Sequence, residues 1–326
     1  MIIKTADIDD LLAGRLSQDD GLALLNFLEP ENINQETFEL VLSTVRATVA
    51  VQAKELNSFA GSSIDCCGTG GSGISSFNAS TLVAFILASA GLRVTKIGNK
   101  AVTGNFGSFD LLNSLGLSSN ISLEQIKQIM ALSGMVFVYA PMLYPGLGKI
   151  SALRRQFAKR TIFNYIGPLL NPFLPEYRVL GVSNAAMQNA IAGVLVNDKQ
   201  NKRSFVVRGC NGLDEVLCHG RTTILDVRGR TFNTIDFHAE ESASCCMVLG
   251  DATKFNPIEM FWSIVKGQIS DGCTYKLVVN NAAAGLHVAG KATSMLDGQE
   301  LANELINSGK VMDKVEEVRQ AYAQCS

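Results

Sequence analysis

The run Asp65-Cys-Cys-Gly-Thr-Gly-Gly-Ser-Gly73 exposes backbone N–H groups with few side chains to shield them, and Asn78, Ser80 and Thr81 follow at the head of the apolar run 82–87. The length and flanks of that run predict a helix, which puts the hydroxyls at the positive end of its dipole, beside the glycine loop. Lys96 and Lys100 add cationic charge, and no carboxylate stands between Asp65 and Asp110. Loop, helix start and lysines together make a cradle for phosphate. Gly68, Gly70 and Gly73 also fit the dinucleotide pattern G-x-G-x-x-G, but that site needs an acidic residue about 20 residues further on. Lys96 to Lys100 occupies that place, and no Gly-Lys-Ser or Gly-Lys-Thr closes the run as a P-loop would. Both nucleotide sites are set aside.

A second cluster, Gly209-Cys-Asn-Gly-Leu-Asp-Glu215, follows the strand-like run 204–208. In an open α/β sheet the carboxyl ends of the strands are where ligands bind. An adjacent Asp-Glu pair in a loop is often only a solvated turn. On the same sheet edge as an anion loop, it reads better as a Mg²⁺ site, because that ion takes one or two carboxylates together with phosphate oxygens. A third cluster holds Arg154, Arg155 and Arg160. Arg154 could grip a substrate carboxylate in the bidentate manner of a guanidinium, or lie on a surface.

These residues need elements to position them. Residues 8–28 and 35–56 carry apolar side chains at helical spacing, with Ser17 as a helix start and Pro30 as a stop, so the chain opens all-helical. From residue 63 the period changes to a strand ending at Cys67, a helix over 80–90 and a strand over 92–96, a unit that implies a parallel sheet. Helices are expected at 109–115, 123–132, 149–158, 185–196, 299–308 and 311–322. Further strands are expected at 135–139, 178–182, 204–208, 221–227 and 230–235. The fold class is α/β, a mainly parallel central sheet flanked by helices with a smaller N-terminal helical subdomain.

Composition is consistent with a single well-cored enzyme: 326 residues, 47% hydrophobic, net charge −2. No strong field draws such a chain to nucleic acid. The apolar stretches stop short of the roughly 18 residues of a membrane span, and the first residues lack a basic region followed by an apolar core, so a cytoplasmic location is expected. Eight cysteines include the adjacent pairs Cys66-Cys67 and Cys245-Cys246 but no C-x-x-C, which favours reduced cysteines over a disulfide or zinc framework. His219, His238 and His287 fall in no motif.

The ordered series Asp-x-x-Gly-Thr-Gly-Gly, Asn-x-Ser-Thr, Lys-x-Gly-Asn, Arg160-Thr-Ile-Phe-Asn-x-x-Gly-Pro-Leu-x-Asn-Pro172, Gly-Leu-Asp-Glu and Asn280-Asn-Ala-Ala-Ala284 resembles the anthranilate phosphoribosyltransferase family of tryptophan biosynthesis over nearly the whole chain. The resemblance implies a fold of the nucleoside phosphorylase/phosphoribosyltransferase type. It implies a helical dimerisation subdomain of residues 1–59 plus about 144–172, and an α/β domain of 60–143 plus 173–326. It also implies Mg²⁺-dependent transfer of phosphoribosyl from phosphoribosyl pyrophosphate (PRPP) to the amine of anthranilate or a related aromatic amino acid, by a homodimer.

Carried over residue by residue, Gly68, Thr69, Gly70, Gly71, Asn78, Ser80, Thr81, Lys96 and Ser108 match PRPP contacts, and Ser80, Asp214 and Glu215 match Mg²⁺ ligands. Gly68, Asn99 and Arg154 match anthranilate contacts, and Lys96 and Arg154 are the expected catalytic pair. The chain departs from the family pattern at Ile97 and Tyr144, each in place of a histidine and expected on the amine side. It departs also at Lys100 for an arginine, Ser72 for an aspartate, and Asn105-Phe106 for Lys-Ser. A nucleoside phosphorylase of the same fold and a catalytically silent paralogue stand as alternatives.

Overall fold

The computed structural model describes residues 2–49, 51–59, 62–71, 77–98, 108–239 and 256–325. The chain opens with α1 (Thr5–Ala13), α2 (Gln18–Phe27) and α3 (Gln35–Ala47), followed by a 3₁₀ stretch over Val51–Phe59. The first strand-helix-strand unit is β1 (Ser63–Gly68), α4 (Ala79–Ser89) and β2 (Arg93–Gly98). Next come α5 (Ser108–Ser114), α6 (Leu123–Ser133), β3 (Met135–Tyr139) and three short helices, α7 (Ala140–Leu143), α8 (Pro145–Lys149) and α9 (Ser151–Phe157). The second half contains β4 (Tyr177–Gly181), α10 (Ala185–Asn197), β5 (Arg203–Gly209), β6 (Gly220–Arg228) and β7 (Thr231–Ala239). It ends with α11 (Pro257–Val265), α12 (Cys273–Val288), α13 (Met295–Asn307) and α14 (Lys310–Gln324).

One seven-stranded sheet runs in the order β3-β2-β1-β4-β5-β6-β7. The first four pairings are parallel, and β5-β6 and β6-β7 are antiparallel. The chain winds outward from β1 through β2 to β3, then returns to lay β4 on the other side of β1. The strand order therefore reverses between β1 and β4, and a crevice forms outside their carboxyl ends. In register, Gly68 pairs with Gly181 at the lip of that crevice.

Helix starts follow local chemistry. Ser17 accepts from the Asp20 amide and Asn34 from the Thr37 amide, each satisfying a donor that its helix leaves orphaned. Gly14, left-handed at φ 72°, ends α1 and splits the apolar run 8–28 into two helices. The run 35–56 likewise divides into α3 and the 3₁₀ stretch. α1 packs against α8 and α2 against α9. Ile162 N donates to the Leu28 carbonyl at 2.8 Å, and the Arg46 guanidinium donates to the Leu169 carbonyl at 3.0 and 3.1 Å.

Four helices escaped the sequence reading, the short α7 and α8 and the longer α11 and α12. α12 is buried on almost every side, packed between α4 and α13, so its apolar residues show no period of 3.6 to read. The expectation of reduced cysteines is also corrected: Cys218, just before β6, and Cys273, the first residue of α12, are joined as a disulfide with their Cα atoms 5.6 Å apart. They are 55 residues apart in sequence, and only the fold brings them together.

A polar brace ties the sheet to the segment 160–172. Asn171 Nδ2 donates to Asp65 Oδ2 at 2.8 Å and to the Thr95 carbonyl at 2.6 Å, joining β1, β2 and the loop before β4. Asp65 is fully buried, and burial pushes its carboxyl up to about 6 against the opposing pulls of Lys96 and the Asn171 hydrogen bond. A raised carboxyl means that the folded state binds more protons than the unfolded state between about pH 4 and 6, so this group's contribution falls as pH rises through that window. A shift of about two units corresponds to about 3 kcal/mol. Asp65→Asn keeps an acceptor for Asn171 and removes the titration. In urea melts from pH 4 to 7, wild type should therefore lose stability relative to the variant as pH rises; a gap independent of pH would refute a protonated Asp65 at the acid end.

Candidate active site

The crevice at the switch point is closed from above by the segment that crosses it, residues 212–217. Gly68 and Gly181 are glycines because that segment lies directly on them. A Cβ on Gly68 would sit 2.2 Å from Asp214 Oδ2, and one on Gly181 would sit 1.7 Å from the Asp214 carbonyl. Asp214 Oδ2 then accepts from the Gly70 amide at 2.7 Å, so the acidic segment and the glycine loop hold each other. Gly70 and Gly71 have φ of 61° and 75°, left-handed values that side chains disfavour.

Within a cleft of about 210 Å³, Gly68, Gly70, Asn78, Ser80, Ser108, Asp214 and Glu215 come together. Ser80 is in the first turn of α4, whose free amides favour an anion. In the same cleft Glu215 Oε2 is buried with no hydrogen-bond partner among the described residues. Burial and the adjacent Asp214 charge push the Glu215 carboxyl well up, and Lys96 pulls it down. Two carboxylates side by side, one of them with an orphaned oxygen, are the donor set for a hard divalent cation. Asn281 lines the same cleft and holds Val216 at both ends, accepting from its amide and donating to its carbonyl, each at 2.9 Å.

Other expected residues lie elsewhere. Lys96 is 6% exposed and its Nζ donates to the Cys66 carbonyl, so the ammonium sits behind the cleft as counter-charge to Asp65 and Glu215 and does not line it. Thr81 is fully buried on the core side of α4, away from the cleft lining. Thr69 donates its amide to the Gly181 carbonyl at 2.9 Å, and Gly71 lines a second recess. Asn99, Lys100, Ser72, Asn105 and Phe106 lie outside the described residues. Ile97 and Tyr144, expected on the amine side, are core residues: Ile97 is buried in β2, and the buried Tyr144 hydroxyl donates to the Leu170 carbonyl at 2.8 Å.

The second recess, about 380 Å³, lies beyond Gly71 and is lined by Glu29, Lys159, Arg160, Tyr165, Ser183 and Gly212 among others. Its key member, Arg160, was not among the expected site residues. Arg160 donates to the Gly70 carbonyl at 2.7 Å and the Thr69 carbonyl at 3.2 Å, and its guanidinium stacks 4.7 Å from the Tyr165 ring centroid. Ser183 Oγ donates to the same Gly70 carbonyl at 3.1 Å. The Thr69 and Gly70 carbonyls are thus tied down on the side of this second recess. The sequence signals for Arg160 were its membership of the cluster with Arg154 and Arg155 and its place at the head of Arg-Thr-Ile-Phe-Asn. Arg154 stands late in α9 with its guanidinium 5.8 Å from the Phe163 ring, and has no carboxylate partner among the described residues. Burial lowers its pKa, and neither recess includes it in its lining.

Comparison with known proteins matches residues 60–312 to the family described as glycosyl transferase family, a/b domain. The chain is 37% identical over 260 residues to the anthranilate phosphoribosyltransferase of Syntrophomonas wolfei, covering 78% of this chain and 75% of that one. It is 32% identical to that of Pseudoalteromonas translucida, over 94% of this chain and 85% of the relative. Among solved structures, the Saccharomyces cerevisiae anthranilate phosphoribosyltransferase in complex with PRPP and Mg superposes with a TM-score of 0.79 at 22% identity, covering 98% of this chain and 91% of that one. The enzyme from Thermus thermophilus gives 0.72 at 24% identity, covering 97% and 99%. These structures share the fold described above.

The packing of Asp214 on Gly181 leads to a direct expectation. Gly181→Ala should destabilise the protein by about 1–3 kcal/mol, the range for overpacking a filled site. Gly148→Ala, in a helix with nothing within 4 Å of the new methyl, serves as control. Equal denaturant midpoints for the two variants would contradict the close contact.

Proposed function

The chain belongs to the glycosyl transferase family and, within it, to the anthranilate phosphoribosyltransferases, and from that membership we propose that it transfers the phosphoribosyl group of PRPP to the amine of anthranilate and releases pyrophosphate. The observation that carries this reading onto this chain's own residues is the meeting, at one switch point, of an amide-rich loop, a helix start and the orphaned carboxylate of Glu215 beside Asp214. Amides without an acidic pair would suit any phosphate. The pair adds the need for a divalent cation, as a pyrophosphate substrate does.

In this reading the free amides of the first turn of α4, with Asn78, Ser80 and Ser108, bind the phosphate groups beside the glycine loop 68–71. Asp214, Glu215 and Ser80 would hold Mg²⁺, which supplies charge neutralisation for the departing pyrophosphate. The lone pair of the aromatic amine attacks C1 of the ribose, the C1–O bond to pyrophosphate breaks with its electron pair, and the amine proton passes to solvent. Lys96 contributes its positive charge from behind the cleft, where it opposes the upward push that burial and Asp214 exert on the Glu215 carboxyl. Arg154, having no carboxylate partner among the described residues, is available for the carboxylate of anthranilate, and Asn99 is the second residue proposed for that substrate. Holding the amine near C1 draws on proximity, worth up to about 7–11 kcal/mol for well-oriented pairs, so a strong general base is not needed. We also propose that residues 1–59 and about 144–172 form one helical subdomain through which two copies pair.

Four measurements test this reading. PRPP should raise the melting temperature far more with Mg²⁺ than with EDTA, and the difference should vanish in an Asp214→Ala/Glu215→Ala variant; equal shifts would remove the cation from the site. Incubation with PRPP, Mg²⁺ and anthranilate, para-aminobenzoate or aniline, read by product mass, should give a phosphoribosyl adduct of anthranilate and none of aniline. Arg154→Ala should then lower kcat/KM by the equivalent of about 2–5 kcal/mol, the range for truncating one partner of a buried charge pair. PRPP binding with no adduct from any amine would identify a silent paralogue. Light scattering should give the mass of a dimer at micromolar concentration, and a monomer there would sink the pairing.

A further inference from the structure

The motif Asn280-Asn-Ala-Ala-Ala284 takes no part in the chemistry described so far, although Asn281 lines the cleft. It lies midway along α12, and its three alanines are fully buried. Small side chains there let the neighbours close in. A Cβ on Gly298 of α13 would stand 2.8 Å from the Ala283 carbonyl oxygen, and one on Gly285 of α12 would stand 2.7 Å from the Leu87 side chain of α4. With α12 held between α13 and α4, Asn280 and Asn281 meet the chain that follows the acidic pair. Val216 and Leu217 are buried and belong to no helix or strand, so their backbone groups need partners from elsewhere. Asn281 Oδ1 accepts from the Val216 amide at 2.9 Å, and its Nδ2 donates to the Val216 carbonyl at 2.9 Å and the Leu277 carbonyl at 2.8 Å. Both hydrogens of that side-chain amide are engaged, so Asn281 has no donor left for a ligand. Asn280 Nδ2 donates to the Leu217 carbonyl at 2.7 Å, and its Oδ1 accepts from Gln299 of α13, also at 2.7 Å. The Leu217 amide donates to Thr222 Oγ1 at 3.0 Å, so all four backbone groups of Val216 and Leu217 are held by side chains.

We propose that Asn281, backed by Asn280 and Gln299, is a positioning residue for the divalent cation: it fixes the backbone directly after Glu215 and so holds that carboxylate in the cleft. The proposal rests on the reading of Asp214 and Glu215 as ligands of the cation. Before the acidic pair, the chain is fixed by Asp214 lying on Gly68 and Gly181; after it, by the two asparagines. Glu215 is therefore anchored from both sides while its Oε2 keeps no hydrogen-bond partner among the described residues, the state in which an acid is free to take an ion. Asn281 acts on the ion through Glu215 and does not touch it. Its side-chain oxygen faces the Val216 amide and its nitrogen faces two carbonyls, an arrangement that an aspartate cannot reproduce because an ionised carboxylate only accepts.

The test measures binding of Mn²⁺, as a paramagnetic stand-in for Mg²⁺, to the full-length chain with PRPP. Water-proton relaxation reads it, because the enhancement reports the ion on the slowly tumbling protein rather than on PRPP in solution. Wild type should bind the ion and Asp214→Ala/Glu215→Ala should not. Affinity should fall by about 10-fold or more in Asn281→Ala, the lower end of the range for loss of an outer-shell partner. Asn281→Asp should also bind more weakly, although it brings a negative charge to the cleft. Val318→Ala, a core change in α14, which packs on α4, α6 and α13, controls for general loosening and should keep the wild-type affinity. Circular dichroism checks folding, and Asn280→Ala takes the place of Asn281→Ala if the latter does not fold. Wild-type affinity in the acidic double variant would remove the cation reading, and the proposal with it. Loss of the ion in the double variant but wild-type affinity in the asparagine variant would overturn the proposal alone. So would an equal loss in Val318→Ala, which makes the effect one of overall stability, or tighter binding in Asn281→Asp, which makes residue 281 a ligand.

Discussion

The structure turns on the contact between Asp214 and two glycines at the point where the strand order reverses. Gly68 and Gly181 leave β1 and β4 side by side, and the Asp214 backbone and carboxylate occupy the space that their side chains would need. That one close approach does three things. It fixes the height of the acidic segment above the sheet, it gives the Gly70 amide its acceptor at 2.7 Å, and it turns Glu215 toward the cleft. The site is therefore assembled by backbone packing, which is stiff, and its precision does not rest on flexible side chains. Arg160 and Ser183 complete the arrangement by holding the Thr69 and Gly70 carbonyls on the side of the second recess.

Charge beneath the sheet follows from the same constraint. Lys96 is held on the Cys66 carbonyl, where it opposes both the Asp65 and the Glu215 carboxylates. An ammonium so placed is costly to bury and is retained because two acids share it. Asp65, which the sequence marks as the head of the glycine motif, serves as a brace: through Asn171 it joins β1 and β2 to the segment that also carries Arg160. Two widely separated motif residues are thus one structural unit, and the loop they support takes its position from that unit. The family pattern has a chemical half and a mechanical half.

Much of this was legible in the sequence. The mainly parallel sheet could be read because β1, α4 and β2 carry a clear change of period, and β3 matched its expected bounds, 135–139. Asn78, Ser80, Asp214 and Glu215, which the sequence marks by type and order, line one cleft. α12 was not readable, since a helix buried on nearly all sides carries no amphipathic signal. Ile97 and Tyr144 were read as facing the ligand and are in the core, because sequence position beside a motif residue does not tell which face of an element a side chain occupies.

What the sequence determined by itself depends on residue type and local order: a glycine-rich loop, an adjacent acidic pair, a helix start between them and the family to which they belong. What only the tertiary structure decided is which of these groups meet. Lys96 and Thr81 turned inward while Arg160 reached the loop across 90 residues, and Cys218 and Cys273 closed on each other across 55. The physical reason is that local sequence fixes periodicity and hydrogen-bonding capacity. The direction in which a side chain faces, and the partner that comes to meet it, are set by the packing of elements distant in the chain.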